Sequence, residues 1–336
     1  MEPMTGKSDT DPDSNVSCRI CGSHRVKNIG RIDPYKEFRF PVYDCSECGC
    51  RFVWRDHAIH DRLHACDTSP YHWQISLANR IEELYHRHNH QEIKKILSQT
   101  MKFRFIIDKL ALLPDSAKML EIGCSQGYVT AYFLSCGYDI TGTDISEAAV
   151  SRSGERFGDH FLALNAEDKE RCRDLGRFDV IFSIGTVGCV DNPVVFINNL
   201  LGMLKPGGML LFNCPDLQSV RESDAVWAGS PPPDVITLFP ETFWKDYFSG
   251  PATIEVSYEP YDHRKNVKLM LSRFQPRQNT SPRSIWETSP PPLPSKNIHS
   301  RVVHAIEVLL IPLSGRLLPK KRLVYGQFIT MIKKPE

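Results

Sequence analysis

Two groups of residues in this 336-residue chain have the types and spacing to do chemistry. The first is the run 118–127, an apolar stretch that leads into Glu121, Gly123, Cys124, Ser125 and Gly127. It predicts a buried strand that breaks into a glycine turn and opens a helix, which leaves backbone amides facing a ligand. Gly123 supplies a tight, otherwise strained turn. Gly127 is expected to let the first helical turn approach a ligand with no Cβ in the way. Residues 138–144 predict a second strand ending in Asp144, followed by Ile145, and a carboxylate at that point accepts both hydroxyls of a ribose. The second group is a pair of Cys-x-x-Cys knuckles, Cys18 with Cys21 and Cys45 with Cys48. Four thiolates so spaced suit tetrahedral Zn2+, with residues 26–32 and 38–43 long enough for the short strands that bring the knuckles together. With all four ligands from protein sulfur the site would be closed and structural, and metal binding would supply folding energy to a module too small to bury a sufficient core alone. Cys50 is a spare that could replace Cys48, at poorer spacing.

The glycine turn admits two nucleoside cofactors. A nicotinamide dinucleotide calls for G-x-G-x-x-G, so that pyrophosphate can sit on the helix N-terminus. Here the pattern is G-x-x-x-G, with Ser125 at the middle position and Glu121 just before the turn. A carboxylate beside the anion site repels pyrophosphate and favours a cationic ligand, which describes S-adenosyl-L-methionine.

The motifs downstream follow one order. Asn165, Ala166, Glu167 and Asp168 follow a third strand, residues 178–183 form a fourth ending in Ser183, and residues 204–208 read as a turn before a fifth strand over 209–213. Across about residues 101–275, with a last strand near 323–333, the chain resembles the class I S-adenosylmethionine-dependent methyltransferases. The resemblance implies an α/β fold, a Rossmann-like seven-stranded sheet with its last strand antiparallel, here with a small N-terminal zinc ribbon. It also implies cofactor contacts from Glu121, Gly123, Ser125, Gly127, Asp144 and Ile145, an adenine bracketed by Ala166 and Glu167, and the methionine part of the cofactor over Ser183. Ser125 departs from the family's middle glycine.

Composition bounds the remaining classes. At 41% hydrophobic and 24% charged residues, the chain can bury one large core plus a small module. Eleven cysteines, several in core or loop positions, argue against a disulfide framework and for a reducing, cytoplasmic setting. Residues 1–16 carry several acids and no apolar h-region, so they read as a disordered tail and not a signal peptide. The longest apolar run, 302–313, is too short for a membrane span, although peripheral contact stays open. Lys plus Arg number 41 against 40 Asp plus Glu, a net charge of +1 that argues against nucleic acid as a partner. The sequence does not set an oligomeric state.

These observations divide the chain into a tail (1–16), a ribbon (17–55), a helical connector and cofactor lid (56–100), and a methyltransferase domain (101–336) with insertions at 215–240 and 275–320. Within the lid, residues 73–100 place apolar side chains at helical spacing. His86 and His90 would share a helix face, without a third metal ligand. The insertion after the fifth strand begins where ligands of open α/β sheets sit, and so marks the acceptor side. Residues 253–258 predict a sixth strand, and 298–311 an amphipathic helix that caps the acceptor pocket or touches a membrane.

Methyl transfer from a sulfonium is an in-line displacement, helped by positioning, water exclusion and a general base for a hydroxyl nucleophile. Many small-molecule relatives carry a Glu-His pair after the fourth strand, where this chain has Gly188 and Cys189. The catalytic candidates are therefore His72 and His263, with Asp216 and Tyr261 behind them. A zinc ribbon ahead of a class I domain is similar to bacterial methyltransferases of sugar, glycan and secondary-metabolite pathways, which implies a small-molecule acceptor. Two alternatives remain. One is an RNA methyltransferase whose ribbon aromatics Phe38, Phe40 and Tyr43 stack on bases, and the other is a protein that binds the cofactor without turnover.

Overall fold

The computed structural model describes residues 16–36, 38–55, 72–222, 225–227, 230–258 and 326–335. His263, Tyr261, and the segments 275–297 and 298–311 lie outside the described residues. In chain order the elements are β1 (Val26–Ile32), β2 (Phe40–Cys45), β3 (Arg51–Phe52), α1 (His72–His86), α2 (His90–Leu97), α3 (Met101–Leu110), β4 (Lys118–Ile122), α4 (Tyr128–Ser135), β5 (Asp139–Asp144) and α5 (Glu147–Phe157). They continue with β6 (Phe161–Ala163), α6 (Lys169–Asp174), β7 (Phe178–Ile184), α7 (Pro193–Met203), β8 (Leu204–Pro215), α8 (Leu217–Glu222), β9 (Thr237–Leu238), α9 (Glu241–Phe248), β10 (Ala252–Tyr258) and β11 (Gly326–Lys333).

Seven strands form one sheet in the order β10-β11-β8-β7-β4-β5-β6. The pairs from β8 through β6 are parallel, whereas β11 runs antiparallel to both β8 and β10. Both faces are covered, and the period of two along each strand shows how. Met119, Val180, Phe182 and Leu211 pack with α1 to α4, while Leu120, Ile122, Ile181, Leu210 and Phe212 pack with α7 and α9. A strand buried on both sides reads as a continuous apolar run, which is why β4 and β7 were conspicuous in the sequence.

A second, four-stranded sheet has the order β1-β2-β3-β9. Its fourth strand comes from the insertion after β8, with Arg51 opposite Leu238 and Phe52 opposite Thr237. The ribbon and the insertion thus share one sheet. Arg51 reinforces the join: it forms a two-point contact with Asp44 and donates to the carbonyl oxygens of Ala225 and Val226. Cys18, Cys45, Cys48 and Phe52 also belong to the apolar cluster of α7 and α9, so the ribbon packs on the core of the seven-stranded sheet.

Two local expectations need correction. The fifth strand begins at Leu204 instead of Met209, because residues 204–208 continue the span with Gly207 at φ +75°. The stretch 73–100 is two helices and a turn. His88 lies at φ +54° and the Asn89 side chain accepts from the Glu92 amide to start α2, so His86 and His90 sit on different helices.

Candidate active site

The carboxyl ends of β4, β5, β6 and β7 converge on the glycine turn. The Gly123 and Cys124 amides both donate to the Thr143 carbonyl, at 2.7 and 2.9 Å, which stitches the turn to β5. Gly123 has φ +78°, and a Cβ there would lie 2.1 Å from Thr186 Oγ1. Asp144 closes the other side: Oδ2 accepts from the Ser125 amide at 2.8 Å, and Oδ1 from the Ser146 amide at 2.9 Å. The carboxylate that was expected to hold a ribose is thereby aimed across the mouth of the turn. Beside it Ile145 is 66% exposed, a large apolar side chain at the strand ends.

Tertiary contacts add to the account of three residues of this turn. Gly127 has φ +74°, but a Cβ there would meet the Phe161 ring at 2.7 Å and Ser153 Cβ at 3.0 Å. Helix and strand packing by itself already requires glycine here. Glu121 does not line a charged rim: it is 3% exposed and accepts from Thr130 Oγ1 at 2.5 Å on the first turns of α4. Burial pushes its carboxyl up to about 7, against the lowering effect of the Thr130 bonds and with Asp144 adding to the rise. Ser125, at the family's glycine position, takes φ +50°. A side chain in that region is strained, and Ser125 Oγ is held by Gln74 Oε1 at 2.8 Å.

That bond brings in α1. Gln74 from α1 reaches the turn, and Arg156 of α5 donates to Gln126 Oε1 and Asn79 Oδ1 while pairing with Glu82. The helix lies against the glycine loop. His72 is the first residue of α1.

The remaining sequence candidates are engaged by the fold. Glu167 accepts from the amides of Asp191 and Asn192, at 3.2 and 2.6 Å, and burial raises its carboxyl. Ala166 is buried, with its carbonyl accepting from Asn199 Nδ2 at 3.0 Å. Asp168 caps α6. Ser183 is buried and donates to the Ile122 carbonyl at 2.8 Å, which locks β7 to β4. Asp216, a reserve candidate for the base, accepts from the Ser219 amide and hydroxyl and so starts α8.

The four cysteines meet. Their sulfurs all lie within 4.8 Å of one another, with Cys18 to Cys48 at 3.7 Å and Cys21 to Cys45 at 3.6 Å. A tetrahedron with Zn–S of about 2.3 Å has an edge of about 3.8 Å, so the donor set fits zinc. The knuckles are alike: the Gly22 amide donates to the Cys18 carbonyl and the Gly49 amide to the Cys45 carbonyl, with both glycines at positive φ. A glycine directly after each second cysteine was a signal in the sequence that the spacing argument did not use. Cys50 is buried with its thiol toward the Cys48 carbonyl, outside the cluster.

Sequence reasoning also missed what lies between the first two cysteines. Arg19 Nη2 donates to the carbonyls of Val190 and Asp191, each at 2.7 Å, and Nη1 donates to Thr237 Oγ1 and the Ile236 carbonyl. One knuckle residue therefore fastens the loop after β7 to β9. Arg55, at the end of the ribbon, reaches the same place, with Nε 3.2 Å from Asp191 Oδ1. On the opposite flank, Lys102 Nζ lies 3.3 Å from where a Cβ on Gly185 would sit, and Cys189 Sγ contacts the Gly185 carbonyl.

Residues 85–250 match a family model described as a methyltransferase domain. Among curated proteins, a Coxiella burnetii ubiquinone biosynthesis O-methyltransferase is 25% identical over 120 residues, 35% of this chain and 50% of that protein. A Bacillus cereus malonyl-[acyl-carrier protein] O-methyltransferase is 33% identical over 112 residues, 33% of this chain and 42% of that protein. The chain thus spans about half the length, or less, of the curated relatives it matches. A solved structure of the plantazolicin methyltransferase BamL, in complex with a triazolic desmethylPZN analog and SAH, covers 83% of this chain and 97% of its own at 18% identity and a TM-score of 0.42.

Proposed function

We propose, for a chain that carries a class I S-adenosylmethionine-dependent methyltransferase domain, that it transfers the methyl group of S-adenosyl-L-methionine to a small-molecule acceptor, a sugar, glycan or secondary-metabolite precursor. The observation that carries the reading is the Asp144 carboxylate bridging the Ser125 and Ser146 amides across a positive-φ glycine turn. In this reading Asp144 holds the ribose hydroxyls, Ile145 covers one face of the adenine, and the Gly123 to Gly127 turn cradles the methionine part. The exposed apolar surface of Ile145 beside an acid suits a flat base joined to a ribose. The cofactor supplies an electrophilic methyl on a sulfonium. The chain supplies orientation, with α1 and Gln74 closing over the turn to exclude water.

The RNA reading loses its support in the ribbon. Phe40 and Tyr43 are buried in the ribbon's own packing, and Phe38 packs beside them, so none is a free stacking platform. The ribbon instead borders the loop after β7, on the side where an acceptor enters. His72 or His263 would serve as the base for a hydroxyl acceptor, and the sulfur cluster would hold structural zinc.

Calorimetric titration with S-adenosyl-L-methionine and with NADH tests the cofactor. Uptake of NADH with no response to the sulfonium compound sinks the reading. Turnover of the labelled methyl donor on sugar nucleotides, glycans and aromatic metabolites then tests the acceptor. Binding to generic RNA with a steep salt slope would favour the nucleic-acid alternative.

A further inference from the structure

Among the described residues, the seam between the ribbon and the loop after β7 holds two guanidinium groups and one carboxylate between them. Arg19 and Arg55 have side chains only 5% and 9% exposed, and both face Asp191 Oδ1, at 3.9 and 3.2 Å. Their hydrogen bonding is unequal. Arg19 is satisfied by three carbonyls and a hydroxyl, whereas Arg55 Nε has an ion-pair contact with Asp191 Oδ1 but no hydrogen bond, and Nη2 is buried with no hydrogen-bond partner among the described residues.

A buried guanidinium left short of acceptors is costly, so a native fold that keeps one is holding it for something. Among the described residues, the other acids along the loop are engaged elsewhere. Glu167 is occupied by the amides of Asp191 and Asn192, and Asp234 Oδ1 faces Cys189 Sγ at 3.9 Å. Lys102 borders Gly185 and adds a further positive charge. Asp191 is 46% exposed, so the seam opens to solvent beside Arg55. The place is also chemically relevant: the loop follows the carboxyl end of β7, where ligands of open α/β sheets bind.

We infer that Arg55 receives an oxyanion of the acceptor, a carboxylate or a phosphate, so that the ribbon forms one wall of the acceptor pocket and selects acidic acceptors. The planar fork of Arg matches two oxygens of such a group, and removal from water strengthens the contact. This inference rests on the methyl-transfer reading for the word acceptor, but its binding test does not need turnover.

The test uses the full-length, metal-loaded protein and simple anions. Thermal melts in sodium acetate and in sodium phosphate are compared with sodium chloride at constant ionic strength, for wild type, Arg55→Gln and Arg55→Lys. General salting-in or salting-out is common to all three proteins and cancels. Wild type is expected to gain about 2 °C or more in one of the two anions, Arg55→Gln to gain nothing, and Arg55→Lys to keep only part. The acetate and phosphate arms tell a carboxylate from a phosphate. Equal gains in wild type and Arg55→Gln, or no anion-specific gain in wild type, overturn the inference. Should Arg55→Gln fail to fold, an undiminished gain in Arg55→Lys overturns it. Calorimetric binding of S-adenosyl-L-methionine is expected to be unchanged in Arg55→Gln. If wild type ignores that compound yet shows the Arg55-dependent gain, the anion site stands and the methyltransferase reading falls.

Discussion

Arg19 Nη2 donates to the main-chain carbonyl of Asp191 at 2.7 Å, so a residue flanked by two candidate zinc ligands sets the position of the loop after β7. The cysteine cluster and the loop after β7 are mechanically one piece. Arg19→Met removes the donors and leaves three carbonyls and the Thr237 hydroxyl without their partner. It is expected to cost about 2–4 kcal/mol of stability, read by denaturant melts. The metal content should stay at one per chain, since all four thiols remain, and S-adenosyl-L-methionine affinity should change little. Loss of metal together with stability would contradict this assignment.

Removing the metal by chelation is expected to have a local effect as well as a global one. Amide hydrogen exchange should rise in β1 to β3, and also in β9 and residues 188–192, because the Ile236 and Thr237 amides pair with Gly188 and Arg19 ties both segments down. Cys48→Ser should lose the metal and Cys50→Ser should keep it, measured by metal analysis of the purified proteins.

Glu121 makes stability depend on pH. Its carboxyl is raised from 4.5 to about 7 by burial, so the folded state holds the proton more tightly than the unfolded chain. Stability from this group is therefore full below 4.5, falls as pH rises through 7, and is flat above. The span is about 3 kcal/mol as an upper bound. Glu121→Gln keeps the shape and is expected to flatten urea midpoints across that window. A cationic sulfonium nearby favours the ionised form, so affinity for S-adenosyl-L-methionine should rise with pH through 7 in wild type and less in the variant.

Ser125 separates backbone strain from side-chain bonding. Ser125→Gly relieves φ +50° but loses the Gln74 contact, so its stability should stay within about 1 kcal/mol of wild type. Ser125→Val keeps the conformation with a β-branched side chain, which should cost more than 1 kcal/mol. Equal melting temperatures for the two variants would show that the turn is not strained.

Asp144→Ala removes two acceptors at once, those of the Ser125 and Ser146 amides, along with the proposed ribose contact. Affinity for S-adenosyl-L-methionine should drop by about 100-fold, consistent with the loss of two charge-assisted hydrogen bonds. A calorimetric titration reads it directly.

Much of this protein was legible from one-dimensional patterns that depend on near neighbours. Apolar runs and glycines marked β4 and its turn, the period of two marked both faces of the sheet, and paired cysteines marked the ribbon, because strand burial, positive φ and tetrahedral sulfur geometry each need particular residue types at short spacing. Long-range choices were another matter. Whether Glu121 faced a ligand or Thr130, whether Gly127 made room for a cofactor or for Phe161, and whether Arg19 met solvent or the loop after β7 depended on contacts between distant segments. No local spacing encodes a contact between residues 19 and 190. It exists because β9, far along the chain, completes the ribbon's sheet and is hydrogen-bonded to the loop after β7.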